Sequence, residues 1–122
     1  MKIIKYALIL FAIFITTINY LNPTYSISIY GNSMEPNIHS GDVVVIEEIK
    51  SEKEIKEGDV ILYHSIYGEN NLHRVDKILE DNYGKFFLMK GDNNKGIDAK
   101  YINNGDIYVY TVRFEQVMGR VT

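Results

Sequence analysis

The chain has no cysteine, no tryptophan and only two prolines among its 122 residues. The absence of cysteine excludes thiol catalysis, cysteine-rich zinc sites and disulfide bonds, and it leaves the cellular compartment open. The basic residues are scattered along a chain of formal net charge −3, so there is no electrostatic footprint for a nucleic-acid backbone. Nucleic acid is therefore not an expected partner. The sequence also has no internal repeat, no low-complexity segment and no second long hydrophobic run.

The composition is that of a folded protein. Apolar residues make up 46% and aromatic residues 12% of the chain, which is too much for a disordered segment. A length of 122 residues leaves room for one globular domain with a modest core.

The one long hydrophobic run lies at the N-terminus, where residues 6–21 carry no charge. Its length approaches the ~20 residues that cross a bilayer, and Lys2 and Lys5 precede it. The sequence therefore predicts an uncleaved transmembrane anchor over residues 1–24, with the N-terminus in the cytoplasm and residues 25–122 outside it. A cleaved signal peptide is the alternative, but residues 16–23 lack a small-x-small cleavage pattern. A buried core helix fits less well, because no polar face interrupts the run.

From residue 25 onward the pattern is typical of short β-strands, and the body is expected to be mainly β. The strands are predicted over 26–30, 42–49, 60–64, 72–79, 85–90, 107–114 and 117–121. The run at 42–49 is β-branched and is interpreted as a strand buried on both faces. A hairpin turn is expected at 81–84, and a long irregular loop at 91–105 is a candidate functional segment.

Three segments carry candidate chemistry. The first is Gly31-Asn32-Ser33-Met34-Glu35-Pro36, the second contains His73, and the third contains Asp92 and Asp98. A serine is a poor nucleophile until a neighbouring base takes its proton, and histidine has the side chain best suited to that task near neutral pH. A serine in such a turn is ordinarily only a turn former, so the functional interpretation depends on the ordered set.

The order and approximate spacing of these motifs resemble those of type I signal peptidases. The resemblance is to the branch found in archaea, in the endoplasmic reticulum and in some spore-forming bacteria, because most bacterial members have lysine where this chain has His73. It implies a small signal-peptidase-like β-fold, a complex barrel of short antiparallel strands, behind one transmembrane helix. It also implies that Ser33 is the nucleophile, His73 the general base and Asp98 the acid that orients His73, with Asp92 in a supporting role. The reverse assignment of the two aspartates stays open at this stage.

Other positions are assigned more loosely. The Ser33 backbone N–H is expected to stabilise the oxyanion, and Asn32 or another backbone amide is the candidate second donor, since Gly31 stands where many relatives have serine. Met34 either lines the substrate cleft or fills the core. Arg74 is expected to form an ion pair with one acid of the 91–98 loop. His39 and His64 fall in no motif, so both are interpreted as structural or surface residues.

The expected function is that of a membrane-anchored serine endopeptidase that removes signal peptides from preproteins after small residues at −1 and −3. Signal peptides, membrane lipid and accessory subunits or a secretion translocon are the expected partners, and no metal or cofactor is implied. The alternatives are a specialised processing peptidase with few exported substrates and a non-catalytic membrane-tethered β interaction domain. Self-cleaving repressors share the fold, but they carry a Ser-Lys dyad and have no anchor.

Overall fold

The computed structural model describes residues 2–20, 22–101 and 106–122. These residues form one helix, nine strands and two short 3₁₀ helices. The helix α1 is Lys2–Tyr20, and the strands are β1 Thr24–Ser28, β2 Val43–Glu47, β3 Val60–His64, β4 Asn70–Asp81, β5 Gly84–Lys90, β6 Ala99–Tyr101, β7 Ile107–Val109, β8 Thr111–Arg113 and β9 Val117–Val121.

Seven of the strands form one antiparallel sheet in the order β1-β2-β9-β3-β4-β5-β8, and β6 pairs with β7 in a separate two-stranded ribbon. The predicted mainly β fold is confirmed at this level. In the part of the chain that the structure describes, β1 and β8 are the two ends of the sheet, so the barrel of the prediction is observed as a sheet with two ends.

Two apolar clusters form the core, and β3 contributes to both. Successive side chains of a strand point to opposite faces, so Ile61 belongs to the first cluster and Leu62 to the second. The first cluster consists of Ile55, Ile61, Tyr63, Val75, Phe87, Met89 and Val112. The second consists of Ile29, Met34, Ile46, Val60, Leu62 and Leu72.

The prediction that the 42–49 strand is buried on both faces is wrong. Ile46 is fully buried in the second cluster, but Val43 is 65% exposed and Val45 is 42% exposed. The other face of β2 therefore points to solvent. An unbroken β-branched run favours a strand without showing how many of its faces are covered.

The region predicted as one strand over 107–114 is split into β7 and β8 at Tyr110. The Tyr110 N–H donates a hydrogen bond to the carbonyl oxygen of Asp98 over 2.9 Å, which extends the antiparallel register of β6 and β7 by one residue, since Ala99 lies opposite Val109. Part of the loop predicted over 91–105 is β6, and its positions 102–105 lie outside the described residues. The Tyr110 hydrogen bond therefore joins the residue before β6 to the residue between β7 and β8.

The N-terminal helix does not support the predicted transmembrane anchor. A membrane-spanning helix needs ~20 consecutive, mostly apolar residues. Within the described residues, no helix combines enough length with enough apolar character to span a bilayer. Lys2 and Lys5 add charge to the first turns of α1.

Candidate active site

Ser33 lies in the connection between β1 and β2. The two ends of this connection are joined by hydrogen bonds from the Ile29 N–H to the Asp42 carbonyl and from the Gly41 N–H to the Ile29 carbonyl. Met34, the next residue, is only 2% exposed and packs in the second core cluster. The serine is thus presented at the surface by a turn whose following side chain is held in the core.

His73 comes from β4, where it is the antiparallel partner of Ile61 on β3. Its Nε2 lies 3.2 Å from Ser33 Oγ, within hydrogen-bond distance. The His73 side chain is 15% exposed, so the imidazole is largely shielded from solvent. The sheet register therefore brings together two residues that are 40 positions apart in the sequence.

Asp98 completes a chain of hydrogen bonds behind His73. Its Oδ2 lies 2.5 Å from His73 Nδ1, and its side chain is 11% exposed. The Asp98 backbone is held on both sides, because its N–H donates to the Met89 carbonyl and its carbonyl accepts from the Tyr110 N–H. A carboxylate facing Nδ1 keeps the proton on that nitrogen, which leaves Nε2 free to accept the proton of the serine hydroxyl. The arrangement has the geometry for acyl transfer through a serine nucleophile.

Asp92, the other acidic candidate, faces away from this chain of hydrogen bonds. Arg74 binds both of its carboxylate oxygens, through Nε at 2.8 Å and an amino nitrogen at 2.7 Å, and Asn37 donates to it over 2.8 Å. The hydrogen bond from Arg74 lowers the pKa of Asp92 below its ordinary value, against the opposing effect of burial. Of the two aspartates, the structure brings only Asp98 into contact with His73, and the expected ion pair of Arg74 is formed with Asp92.

The ion pair between Asp92 and Arg74 is expected to make the free energy of unfolding depend on pH. Because the folded-state pKa of Asp92 is lowered, the pair stabilises the fold above the unfolded-state value of about 3.9, and the benefit disappears as pH falls through the folded-state pKa. The stability gap between wild type and Asp92→Asn, measured by urea denaturation, should be constant near neutral pH and should close below about pH 4. A gap that stays constant down to pH 3 would contradict this assignment of the charge.

The 91–98 loop also holds the nucleophile turn in place. The Asn93 N–H donates to the Ser33 carbonyl over 2.9 Å, and the Asn93 side chain donates to the Asn32 carbonyl over 3.1 Å. The contact is so close that a Cβ added to Gly91 would lie 2.7 Å from the Ser33 carbonyl oxygen. Glycine is required there by this approach, a role that sequence reasoning missed.

The backbone N–H groups that could stabilise the oxyanion differ in whether they already donate a hydrogen bond within the protein. The Gly31 N–H already donates to Ser40 Oγ over 3.3 Å, and Gly31 adopts a φ of +89°, which favours glycine. Within the described residues, the backbone N–H groups of Asn32 and Ser33 donate to no protein acceptor. These two amides are therefore free to receive an oxyanion beside Ser33.

Two cavities meet at His73 and Asn71, which line both. A cavity of about 380 Å³ opens beside Ser33, and the buried Met34 and Leu72 form part of its wall. Met34 thus belongs to the core and also borders the cleft. A larger cavity of about 610 Å³ lies on the Asp98 side.

The remaining histidines lie outside the site. His39 is exposed beside Asp42, and His64 Nδ1 lies 2.7 Å from Asn70 Oδ1. Among the residues that the structure describes, no group of three or more histidine, aspartate and glutamate side chains is arranged to hold a metal ion.

Comparison with known proteins assigns a family. The model of the Peptidase S24-like family matches residues 11–107, which is more than half of the chain. Signal peptidase I W of Bacillus subtilis (strain 168) is 28% identical over 88 residues, a match that covers 72% of this chain and 46% of that protein. The chain thus spans less than half the length of this relative. It belongs to the Peptidase S24-like family.

Proposed function

We propose that this protein is a serine endopeptidase that removes signal peptides from exported preproteins, cutting after small residues at the −1 and −3 positions. The observation that carries the proposal is the continuous contact from Ser33 Oγ to His73 Nε2 and from His73 Nδ1 to Asp98. The family match and the similarity to a signal peptidase support the choice of substrate. The reaction is proposed to take place on the extracytoplasmic side of a membrane, where the end of a signal peptide emerges.

In the proposed mechanism, His73 takes the proton of the Ser33 hydroxyl as the oxygen attacks the scissile carbonyl. The C–N bond breaks, and His73 returns the proton to the leaving amine, which leaves the signal peptide as an ester on Ser33. His73 then activates a water molecule that hydrolyses the ester. Asp98 keeps the imidazole in the required tautomer and stabilises its protonated form.

The developing negative charge needs hydrogen-bond donors. The free backbone N–H groups of Ser33 and Asn32 are proposed to supply them. One such donor is worth about 3 kcal/mol of transition-state stabilisation.

The peptide is proposed to bind in extended form along β1. This strand is an end of the sheet in the described part of the chain, and Ile27 and Ile29 line the cavity that reaches Ser33. Main-chain pairing with a sheet edge supplies affinity, while pockets for alternate side chains supply specificity. Ile29, Met34, Leu62 and Leu72 are buried apolar side chains in the lining of this cavity, and they are proposed to exclude a large residue at −1.

Cleavage of a preprotein with an Ala-x-Ala site, monitored by mass spectrometry of the new N-terminus, tests the proposed substrate. Replacing the −1 alanine with leucine should lower kcat/KM by about a hundredfold, because the larger side chain must displace buried apolar groups. A matched substrate with leucine at +2, beyond the scissile bond, is the control. Equal cleavage of the −1 alanine and leucine substrates would contradict the specificity, and an inert wild-type protein would favour a non-catalytic domain.

A further inference from the structure

Tyr63 on β3 makes a polar contact that none of the motifs predicts. Its hydroxyl donates to Asp98 Oδ2 over 3.1 Å, and the same oxygen lies 2.5 Å from His73 Nδ1. The phenol ring is 4% exposed and meets the His73 imidazole edge to face, with ring centres 6.4 Å apart. One carboxylate oxygen therefore receives two hydrogen bonds, one from the histidine and one from the tyrosine.

The phenol is held in its protonated form. Burial raises the pKa of Tyr63 far above its ordinary value, and the negative charge of Asp98 and the hydrogen bond to it raise the pKa further, against a smaller opposing hydrogen bond from Asn71. The hydroxyl consequently remains a hydrogen-bond donor over the whole range in which an imidazole titrates.

We propose that Tyr63 is a positioning residue, which fixes Asp98 against His73 and withdraws part of the carboxylate charge that the imidazole faces. The inference rests on the proposed function, because it assigns Tyr63 a part in the same site. A carboxylate held by a single side-chain donor can turn about its last torsion, whereas a second donor on the same oxygen restricts that turn. The hydrogen bond is also made to a charged acceptor in a shielded place, where such bonds are stronger than neutral ones.

The ring and the hydroxyl of Tyr63 have separable roles. The ring packs in the first core cluster, which is a structural contribution that phenylalanine would keep. The hydroxyl donates to Asp98 Oδ2. Tyr63→Phe therefore removes the hydrogen bond and leaves the packing.

The charged groups on the neighbouring elements are unchanged by this substitution. Glu69 lines the cavity on the Asp98 side, Arg74 remains paired with Asp92, and Lys90 keeps its hydrogen bond to the Gly91 carbonyl. The phenols of Tyr67 and Tyr110 also line that cavity. A change in pH dependence in Tyr63→Phe would thus report the lost Tyr63 hydroxyl.

The experiment compares wild type, Tyr63→Phe and Tyr83→Phe in cleavage of the Ala-x-Ala preprotein from pH 5 to 9. Tyr83 is a matched control, since it is 90% exposed in the turn between β4 and β5. Tyr63→Phe should lower kcat about threefold to tenfold with KM unchanged. It should also move the acidic limb of the pH–rate profile to a pH higher by about half a unit. Without the hydrogen bond from Tyr63, the Asp98 carboxylate stabilises the protonated imidazole more strongly. Tyr83→Phe should match wild type.

A second measurement does not require activity. In proton NMR spectra, the His73 Nδ1 proton should move downfield in Tyr63→Phe, because the carboxylate is the stronger acceptor without its second donor. An unchanged Nδ1 proton together with an unchanged pH profile would overturn the inference, even if Tyr63→Phe is thermally less stable, since only a structural role would remain. If wild type cleaves nothing, the proposed function fails, and the Nδ1 proton still decides whether Tyr63 acts on Asp98 and His73.

Discussion

Replacing Ser33 with alanine is expected to lower kcat for preprotein cleavage by about 10⁶-fold. The substitution removes the hydroxyl oxygen that is proposed to form the ester, and it leaves His73 without the serine proton that it would accept. The backbone amides remain, so a small residual rate from oxyanion stabilisation and binding should persist. Ser33 is partly exposed in a turn held by its neighbours, so the fold should tolerate the change.

The decrease in kcat caused by losing Ser33 should not add to the decrease caused by losing His73. A serine and a histidine that act as one unit each cost about as much alone as together, so His73→Ala and the double variant should fall to the same residual rate. His39→Ala is the matched control for the histidine, because His39 is exposed and its side chain lies beside Asp42. Cleavage retained in Ser33→Ala, or a double variant slower by the product of the two single effects, would contradict the shared mechanism.

Asp98→Asn is expected to lower kcat by about 10⁴-fold while leaving the geometry in place. An asparagine can turn its amide nitrogen toward His73 Nδ1 and so place the imidazole proton on Nε2. In that tautomer His73 cannot accept the proton of Ser33, which lies 3.2 Å away. Steady-state rates, together with an unchanged far-UV circular dichroism spectrum, would measure the effect.

Asp92→Asn is the matched comparison, because it makes the same chemical change to the other aspartate of the loop. Asp92 contacts Arg74 and Asn37 rather than His73, so its loss should slow the reaction by no more than about tenfold through a looser loop. A larger loss in Asp92→Asn than in Asp98→Asn would show that the other assignment of the two aspartates, which the sequence left open, is the correct one.

Local features of the fold could be predicted from the sequence. The strand over 60–64 matches β3, since an apolar run there is bounded by Gly58-Asp59 and by the polar residues 68–71. The hairpin turn at 81–84 is also confirmed, because Asp81 and Gly84 are paired across it and Asp81 accepts from the Tyr83 N–H. Both features depend on short-range patterns that adjacent residues determine.

Long-range features could not be predicted in the same way. Strand β9 lies between β2 and β3. The local sequence pattern of these strands does not indicate which strands pair with each other. The choice between Asp92 and Asp98 depends on where the 91–98 loop lies. That loop is held by two other parts of the chain, because the Asn93 N–H donates to the Ser33 carbonyl and the Asp98 carbonyl accepts from the Tyr110 N–H. In the sequence, Tyr63 cannot be distinguished from an ordinary strand residue, because its hydroxyl contacts Asp98 only once β3 and the 91–98 loop have come together.

His73 bears on the alternative of a self-cleaving repressor, because the sequence has this histidine where those proteins carry a lysine. The imidazole lies between Ser33 and Asp98, with Nε2 facing the serine and Nδ1 facing the carboxylate. A lysine would have to serve both groups through a single nitrogen.

The most direct measurement is to trap the covalent intermediate. Purified protein is mixed with the Ala-x-Ala preprotein, quenched in acid within milliseconds to seconds, and digested for peptide mapping by mass spectrometry. The expected result is the mass of the signal-peptide acyl group on the peptide that contains Ser33, present in wild type and absent in Ser33→Ala. Release of product in a variant without Ser33, or an acyl group on a different residue, would contradict the assignment of Ser33 as the nucleophile.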